Sequence, residues 1–303
     1  MLSEISRRQV LIGGAASLGL VALGCTDGGD TAQTSSDTPK QNGTAPAFTV
    51  DGLVSSATIA ANDAGIRLMV GGERGTLVAV DRGAALWTLR SGGDEPAAMG
   101  ATGRAATAPD GTFWVVDHTA RAVRHLGPGG VPDRAVPAPP VPGSGTADRI
   151  AAFDVGRDGV VHVAAATSAA ITSYGPDGEV LSTIAGREQG DEHAPAIVAI
   201  VADDDGIWVL EHGRPRALHY DAGSGELLGE VQLETANGHH SAQVAGDHLY
   251  VSWATQLHRT RLDDPGRWEA SNRLPGPIAR LLRTESGVLV AAVSRPAPSA
   301  REE

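Results

Sequence analysis

Few side chains in this 303-residue chain are suited to chemistry, and they are grouped. Two acid–histidine pairs, Asp117-His118 and Glu211-His212, stand at equivalent places in a repeated pattern, and His193 with the His239-His240 doublet forms a second group. Imidazole and carboxylate together suit zinc or a similar divalent ion, and an open coordination position would make such a centre Lewis-acidic. No pair has the spacing of a His-Glu-x-x-His zinc site, and adjacent residues on a strand point to opposite faces. The plainer reading is a polar, solvated binding face that needs no cofactor, with a divalent metal as the alternative. Other templates are missing: the chain has no Gly-x-Ser-x-Gly elbow, no Gly-x-x-x-x-Gly-Lys loop and no cysteine after Cys25. Asp203-Asp204-Asp205-Gly206 lacks the alternating ligands and distal glutamate of a calcium loop and reads as a hairpin turn.

The elements that must position these residues follow from a repeat. An apolar run, a Gly-centred turn with Asp nearby and a second run rich in Val, Ile, Leu or Trp recur around Gly65, Gly111, Gly159, Gly206, Gly246 and Gly287. The intervals are 46, 48, 47, 40 and 41 residues, the period of a β-unit array. Asp-Gly tolerates the positive φ of a two-residue hairpin turn, and the flanking β-branched and aromatic residues suit buried strands. A weaker second hairpin follows in most copies, so each copy predicts one four-stranded blade. The expectation is an all-β fold: a six-bladed β-propeller of mostly four-stranded antiparallel blades over residues 47–298, with a disordered tail at 299–303. The last copy lacks a clear second hairpin, and the segment Phe48-Thr49-Val50 precedes the first. A strand near Phe48 is therefore expected to complete the blade begun by Ile278 to Val293 and close the ring. The five tryptophans, Trp87, Trp114, Trp208, Trp253 and Trp268, read as strand residues packing blade against blade.

Strand order within a blade divides the connections between two faces. The Asp-Gly turns and the outer hairpin turns share one; the mid-blade turns and the blade-to-blade links share the other. The second face gathers Glu73, Arg74, Asp117, His118, Arg121, Glu188, Asp191, Glu192, His193, Glu211, His212, Arg214, His239 and His240 near the channel mouth.

Phe113 to Asp117 through Arg121-Ala122-Val123 to Gly127-Pro128-Gly129-Gly130 resembles an NHL-type repeat, as does Ser173 to Gly178 at its outer turn. Val70-Gly71-Gly72 and Thr76 to Asp81 before Trp87 resemble the pyrroloquinoline-quinone-type propeller repeat. The resemblance implies architecture, because propellers host enzymes, binders and scaffolds alike. It also raises an enzymatic alternative, a metal-dependent hydrolase or lyase similar to the gluconolactonase or streptogramin-lyase propellers. The acidic residue that lactonases carry on an early strand has no equivalent among Ser55 to Ala61, which favours a non-catalytic binding or scaffold module.

The N-terminus supplies an address. Ser6-Arg7-Arg8-Gln9-Val10-Leu11 resembles a twin-arginine export signal, and Val21-Ala22-Leu23-Gly24-Cys25 resembles a lipoprotein processing box. The 15-residue run Val10 to Gly24 is short for a membrane span. Residues 1–24 thus read as a cleaved leader, and Cys25, the only cysteine, as the lipidated residue. Residues 25–46 read as a flexible tether, with a span of roughly 25 Å. This predicts an exported, lipid-anchored monomer at the outer side of the cytoplasmic membrane or in the outer membrane. Its partners would be that membrane and an unknown protein, peptide or small-molecule ligand. A net charge of −12 argues against nucleic acid as a partner.

Overall fold

The computed structural model describes residues 53–55, 58–70, 76–81, 84–90, 104–141, 143–184, 196–214, 216–233 and 239–293. Leader, Cys25, tether and tail lie outside the described residues. An initial strand, β1 (Leu53–Ser55), precedes five four-stranded antiparallel sheets. Blade 1 holds β2 (Thr58–Ala61), β3 (Ile66–Val70), β4 (Thr76–Asp81) and β5 (Ala84–Arg90); blade 2 holds β6 (Ala105–Thr107), β7 (Phe113–Asp117), β8 (Ala122–Leu126) and β9 (Pro132–Pro137). Blade 3 holds β10 (Ile150–Val155), β11 (Val161–Ala165), β12 (Ile171–Tyr174) and β13 (Val180–Ile184); blade 4 holds β14 (Ile197–Ala202), β15 (Ile207–Glu211), β16 (Arg216–Tyr220) and β17 (Leu227–Gln232). Blade 5 holds β18 (His239–Ala245), β19 (His248–Trp253), β20 (Gln256–Arg261) and β21 (Glu269–Ala270), and blade 6 begins with β22 (Ile278–Arg283) and β23 (Leu289–Val293). Contacts between successive first strands run β2, β6, β10, β14, β18, β22 and back to β2, so the chain is a closed six-bladed β-propeller with these strands around its axis.

Blade 6 is completed by β1, which pairs with β23 through Leu53 and Ala291. The expected N-terminal closure is therefore present, with two differences. Phe48-Thr49-Val50 lie outside the described residues, and the closing strand runs parallel to its neighbour rather than extending an antiparallel hairpin.

The core is a set of interlayers. Trp114, Val116 and Val123 of blade 2 pack on Phe153, Val161 and Val163 of blade 3, and Trp208, Leu210 and Ala217 of blade 4 pack on Val244, Leu249 and Val251 of blade 5. Both faces of these strands are covered, which is why β7 and β11 are buried along their whole length rather than in alternation. Trp268 is the exception to the strand reading of the tryptophans: it precedes β21, and its indole donates to the Gln232 carbonyl at 2.8 Å.

The hairpin turns depart from the two-residue expectation. At Asn62–Ile66, Ala108–Thr112, Gly156–Val160 and Thr284–Val288, a four-residue turn ends on a glycine with φ of 83, 78, 81 and 88°, a three-residue loop with a glycine bulge. Blade 5 makes the short form, Gly246-Asp247 between paired Ala245 and His248, and in blade 4 the Asp203 amide donates to the Gly206 carbonyl across Asp204-Asp205. Gly206 is not in the left-handed region at all. It is glycine because a Cβ there would sit 2.1 Å from the Tyr220 carbonyl oxygen.

Candidate functional site

The link face, carrying the mid-blade turns and the blade-to-blade links, is where the acid–histidine pairs stand. Asp117 ends β7 and Glu211 ends β15, each the second strand of its blade, so the two pairs are equivalent by rotation about the axis. Such turns join second to third strands, whereas first strands surround the channel. The pairs of blades 2 and 4 therefore flank the mouth.

Both carboxylates have structural work. Asp117 is buried; its Oδ1 accepts the amides of Thr119 and Ala120 at 3.0 and 2.9 Å, and its Oδ2 lies 2.9 Å from Arg124 Nε. Glu211 Oε2 accepts from Arg216 Nε at 2.8 Å and lies 3.7 Å from Arg214 Nη1. In blade 3 the same duty falls to Asp148, whose oxygens hold the amides of Thr167 and Ser168 and the Thr167 hydroxyl. Burial pushes the Asp148 carboxyl up, but these hydrogen bonds outweigh it and hold it below the ordinary carboxylate value.

Three mid-blade turns are strained, two of them the turns held by Asp117 and Asp148. Arg121, Ala169 and Ala254 adopt φ of 51, 52 and 50°, and all three lie in mid-blade turns of the link face. Left-handed backbone costs a side-chain-bearing residue roughly 1–2 kcal/mol, and such costs persist where surrounding structure over-determines the conformation.

His118 and His212 follow the acids and are exposed. Partial desolvation, then the charge of Arg104, lower the His118 imidazole below its ordinary value against the pull of Asp117. His212 is fixed through its backbone amide, which donates to the Ala196 carbonyl at 2.7 Å. His239 opens β18 opposite Trp253, with His240 next. The side chains of His239 and His240, and the whole of His193, Glu73, Arg74, Glu188, Asp191 and Glu192, lie outside the described residues. Among the described residues no group of three His, Cys, Asp or Glu side chains is arranged to hold a metal ion.

The sequence reading missed the channel. Its first strands are mostly apolar or small, but β10 carries Asp154, β18 carries Gln243, and in β22, Ile278-Ala279-Arg280-Leu281-Leu282-Arg283, two arginines interrupt the pattern. Arg283 reaches the opposite side, donating to the carbonyls of Ala202 at 2.7 Å and Val155 at 3.0 Å, with its Nη2 3.5 Å from Asp154 Oδ2. Nearby is a polar cavity of about 20 Å³, lined in part by Ala105, Thr107, Asp154, Gln243, Leu281 and Arg283, room for about one water molecule. Arg104, just before β6, spans the link-face end, its Nη1 donating to the Val198 carbonyl of β14 at 3.1 Å. A charged residue in or beside a first strand was the signal that would have found these groups.

On the opposite, hairpin face, Thr112 Oγ1, His125 and Asp133 follow the hydroxyl, imidazole, carboxylate order of a nucleophile triad at 2.6 and 2.6 Å. His125 is buried against Trp114, with ring centroids 5.1 Å apart. Blade 4 repeats the arrangement with Trp208 stacked on His219, and blade 3 pairs His162 with Ser173. Recurrence at one repeat position makes this a strut of the blade.

No protein-family model and no curated protein matches the chain. Solved structures do. Virginiamycin B lyase from Staphylococcus aureus is similar at a TM-score of 0.55 and 15% identity, covering 79% of this chain and 78% of that one. A streptogramin B lyase is similar at 0.55 and 13%, covering 77% and 74%. A protein of unknown function from Bacteroides caccae is similar at 0.55 and 17%, covering 77% and 85%. At these identities the likeness is one of propeller fold.

Proposed function

We propose that this protein is an exported, lipid-anchored β-propeller that binds a partner through its link face and performs no chemistry there. The observation that carries the reading is the commitment of the face's acids. Asp117, Glu211 and Asp148 each hold a turn or an arginine, which makes the face a stiff platform and leaves no free carboxylate among the three to act as base or metal ligand. Arg7, Arg8 and Cys25 support the export and anchoring half of the proposal. A Cys25→Ser chain that still incorporated labelled lipid would refute the anchor.

Binding is tested by thermal shift of the purified full chain against anionic, neutral and cationic small molecules and peptides, with His118→Ala and His212→Ala as link-face variants. The reading expects a saturable response that at least one variant weakens. The likeness in fold to streptogramin B lyases favours a second reading, a metal-dependent lyase or hydrolase. Stoichiometric metal that is lost in a His118→Ala, His212→Ala double variant would establish that reading; an unchanged melting curve on chelation supports the binder.

A further inference from the structure

The link-face end of the channel carries two arginines and no carboxylate bonded to either among the described residues. Arg280 lies on β22 immediately before Leu281, and Arg104 immediately precedes Ala105 of β6. Leu281 and Ala105 both line the channel cavity, and β6 and β22 touch across it, so the two arginines flank the cavity on its link-face side. The guanidinium of Arg104 bridges from blade 2 to the Val198 carbonyl of blade 4, which places it over the mouth. Arg280 Nη1 is buried with no hydrogen-bond partner among the described residues. A buried guanidinium donor without an acceptor is costly and rare in native proteins. The nearby charge of Arg104 adds repulsion. Desolvation lowers both arginines below their ordinary values, and for Arg104 the charge of Arg280 lowers it further.

Arg283 shows what the channel does with an arginine whose role is structural. It spans the axis, donates to two carbonyls and faces Asp154. Arg104 and Arg280 have no comparable set. Arg104 is solvent-accessible although the surrounding protein partly desolvates it. The chain is acidic overall, at −12, so a local dication is not a by-product of composition.

We propose that Arg104 and Arg280 form an oxyanion clamp at the link-face mouth of the channel, taking the carboxylate or phosphate group of a small ligand. The planar guanidinium fork matches both groups in bidentate fashion, and Arg280 Nη1, unpaired among the described residues, supplies a donor already desolvated. His118, close enough to feel Arg104 and depressed in its pKa, stays neutral near pH 7 and adds a polar flank without charge. The clamp rests on the binding reading above and gives that ligand its chemical class.

The test is thermal shift and calorimetry on the full chain at constant ionic strength, with inorganic phosphate, citrate and acetate as probes and glucose as the neutral control. The clamp predicts a saturable response to phosphate or to the carboxylates, and which of them responds separates the two sources. Arg104→Gln and Arg280→Gln are each expected to weaken it at least tenfold. They are also expected to raise the melting temperature of the ligand-free protein, because each relieves repulsion and, for Arg280, an unpaired donor. A purely structural pair would show the opposite, a lower melting temperature. The clamp is refuted if no anion acts on the wild type, or if the response survives in the double variant. A response to glucose or to cationic probes alone would refute the clamp and leave the binding reading standing.

Discussion

Arg283 and Asp154 face each other across the propeller channel from blades 6 and 3, with Nη2 and Oδ2 3.5 Å apart and side chains only 10 and 6% exposed. Burial drives the Asp154 carboxyl above its ordinary value, and Arg283, with the amides of Ala202 and Val155, only partly offsets this. The folded state therefore holds the Asp154 proton more tightly than the unfolded chain does. Its contribution to stability is complete below the ordinary carboxylate pKa and is lost as pH rises through the raised folded value. Replacing Arg283 by Met strands the carboxylate, and breaking such a pair costs about 3–5 kcal/mol near neutral pH. Denaturant melts should show the deficit shrinking as pH falls, and Asp154→Asn should recover part of it. An Arg283→Met chain as stable as wild type at pH 7 would mean the channel is wetter than its geometry suggests.

His162 predicts a second pH dependence of opposite sense. Its ring is 4% exposed, shares a 2.9 Å hydrogen bond through Nδ1 with Ser173, and is lowered by burial to about 4, with Asp158 opposing. Between the ordinary histidine value of 6.5 and about 4, the unfolded chain takes up a proton that the folded chain refuses. Stability is thus complete above 6.5 and falls as pH drops through this window, by about 3 kcal/mol at its lower end. His162→Gln should flatten that part of the stability curve while leaving the Asp154 dependence in place. Urea melts at half-unit steps of pH would separate the two.

Gly206 and the Trp208–His219 stack form one device. The rings lie 4.3 Å apart and 2° from parallel; Asp203 Oδ2 accepts the Trp208 indole at 2.7 Å, and its Oδ1 lies 3.5 Å from His219 Nε2. A Cβ on residue 206 would meet the Tyr220 carbonyl oxygen at 2.1 Å and His219 Nε2 at 3.2 Å. Gly206→Ala must separate β15 from β16 at this end, and a cost of at least about 3 kcal/mol is expected, at the upper end of single-residue effects. Asp203→Asn keeps the space but loses the charge-assisted contacts, for about 1–3 kcal/mol. Near-ultraviolet circular dichroism of Trp208 should change in both variants.

The architecture was legible in the sequence because it repeats: six Gly-centred turns at 40 to 48 residues admit few folds other than a ring of blades. The exact turn type was less legible, since a glycine beside an aspartate occurs both in the two-residue loop Gly246-Asp247 and in the bulged loop closing on Gly111. The candidate site was legible only as membership of a face. Pairing Asp117 with His118 by adjacency overlooked Arg124, seven residues on, which the β7–β8 hairpin returns to Asp117. Arg104 and Arg280 lie far apart in sequence, and only ring closure sets them across one channel. Contacts of that kind arise from topology, which local pattern does not encode.

Closure itself yields the last prediction. Within blade 6 a small cluster, Val54, Leu282, Val290 and Ala292, joins β1 to β22 and β23, and two reciprocal hydrogen bonds tie blade 6 to blade 1. In these, the Asp63 amide donates to Glu285 Oε2, and Asp63 Oδ2 accepts the Ser286 amide, each at 3.0 Å. Burial raises the Asp63 carboxyl but the hydroxyls of Thr284 and Ser286 and the Ser286 amide lower it further, so the latch holds at neutral pH and weakens as pH falls through the depressed value. β1 carries the rest of the seal, because without it β23 presents a bare edge of unpaired backbone groups. A chain beginning at Thr58 is expected to melt well below the full chain and to self-associate through that edge, visible as concentration-dependent sedimentation. Val54→Asp, which keeps the backbone pairing but places a charge in the cluster, should lower stability by about 2–4 kcal/mol without association. If the shortened chain stayed monomeric and equally stable, the ring would be sealed by blade packing, and the parallel strand would be an ornament on it.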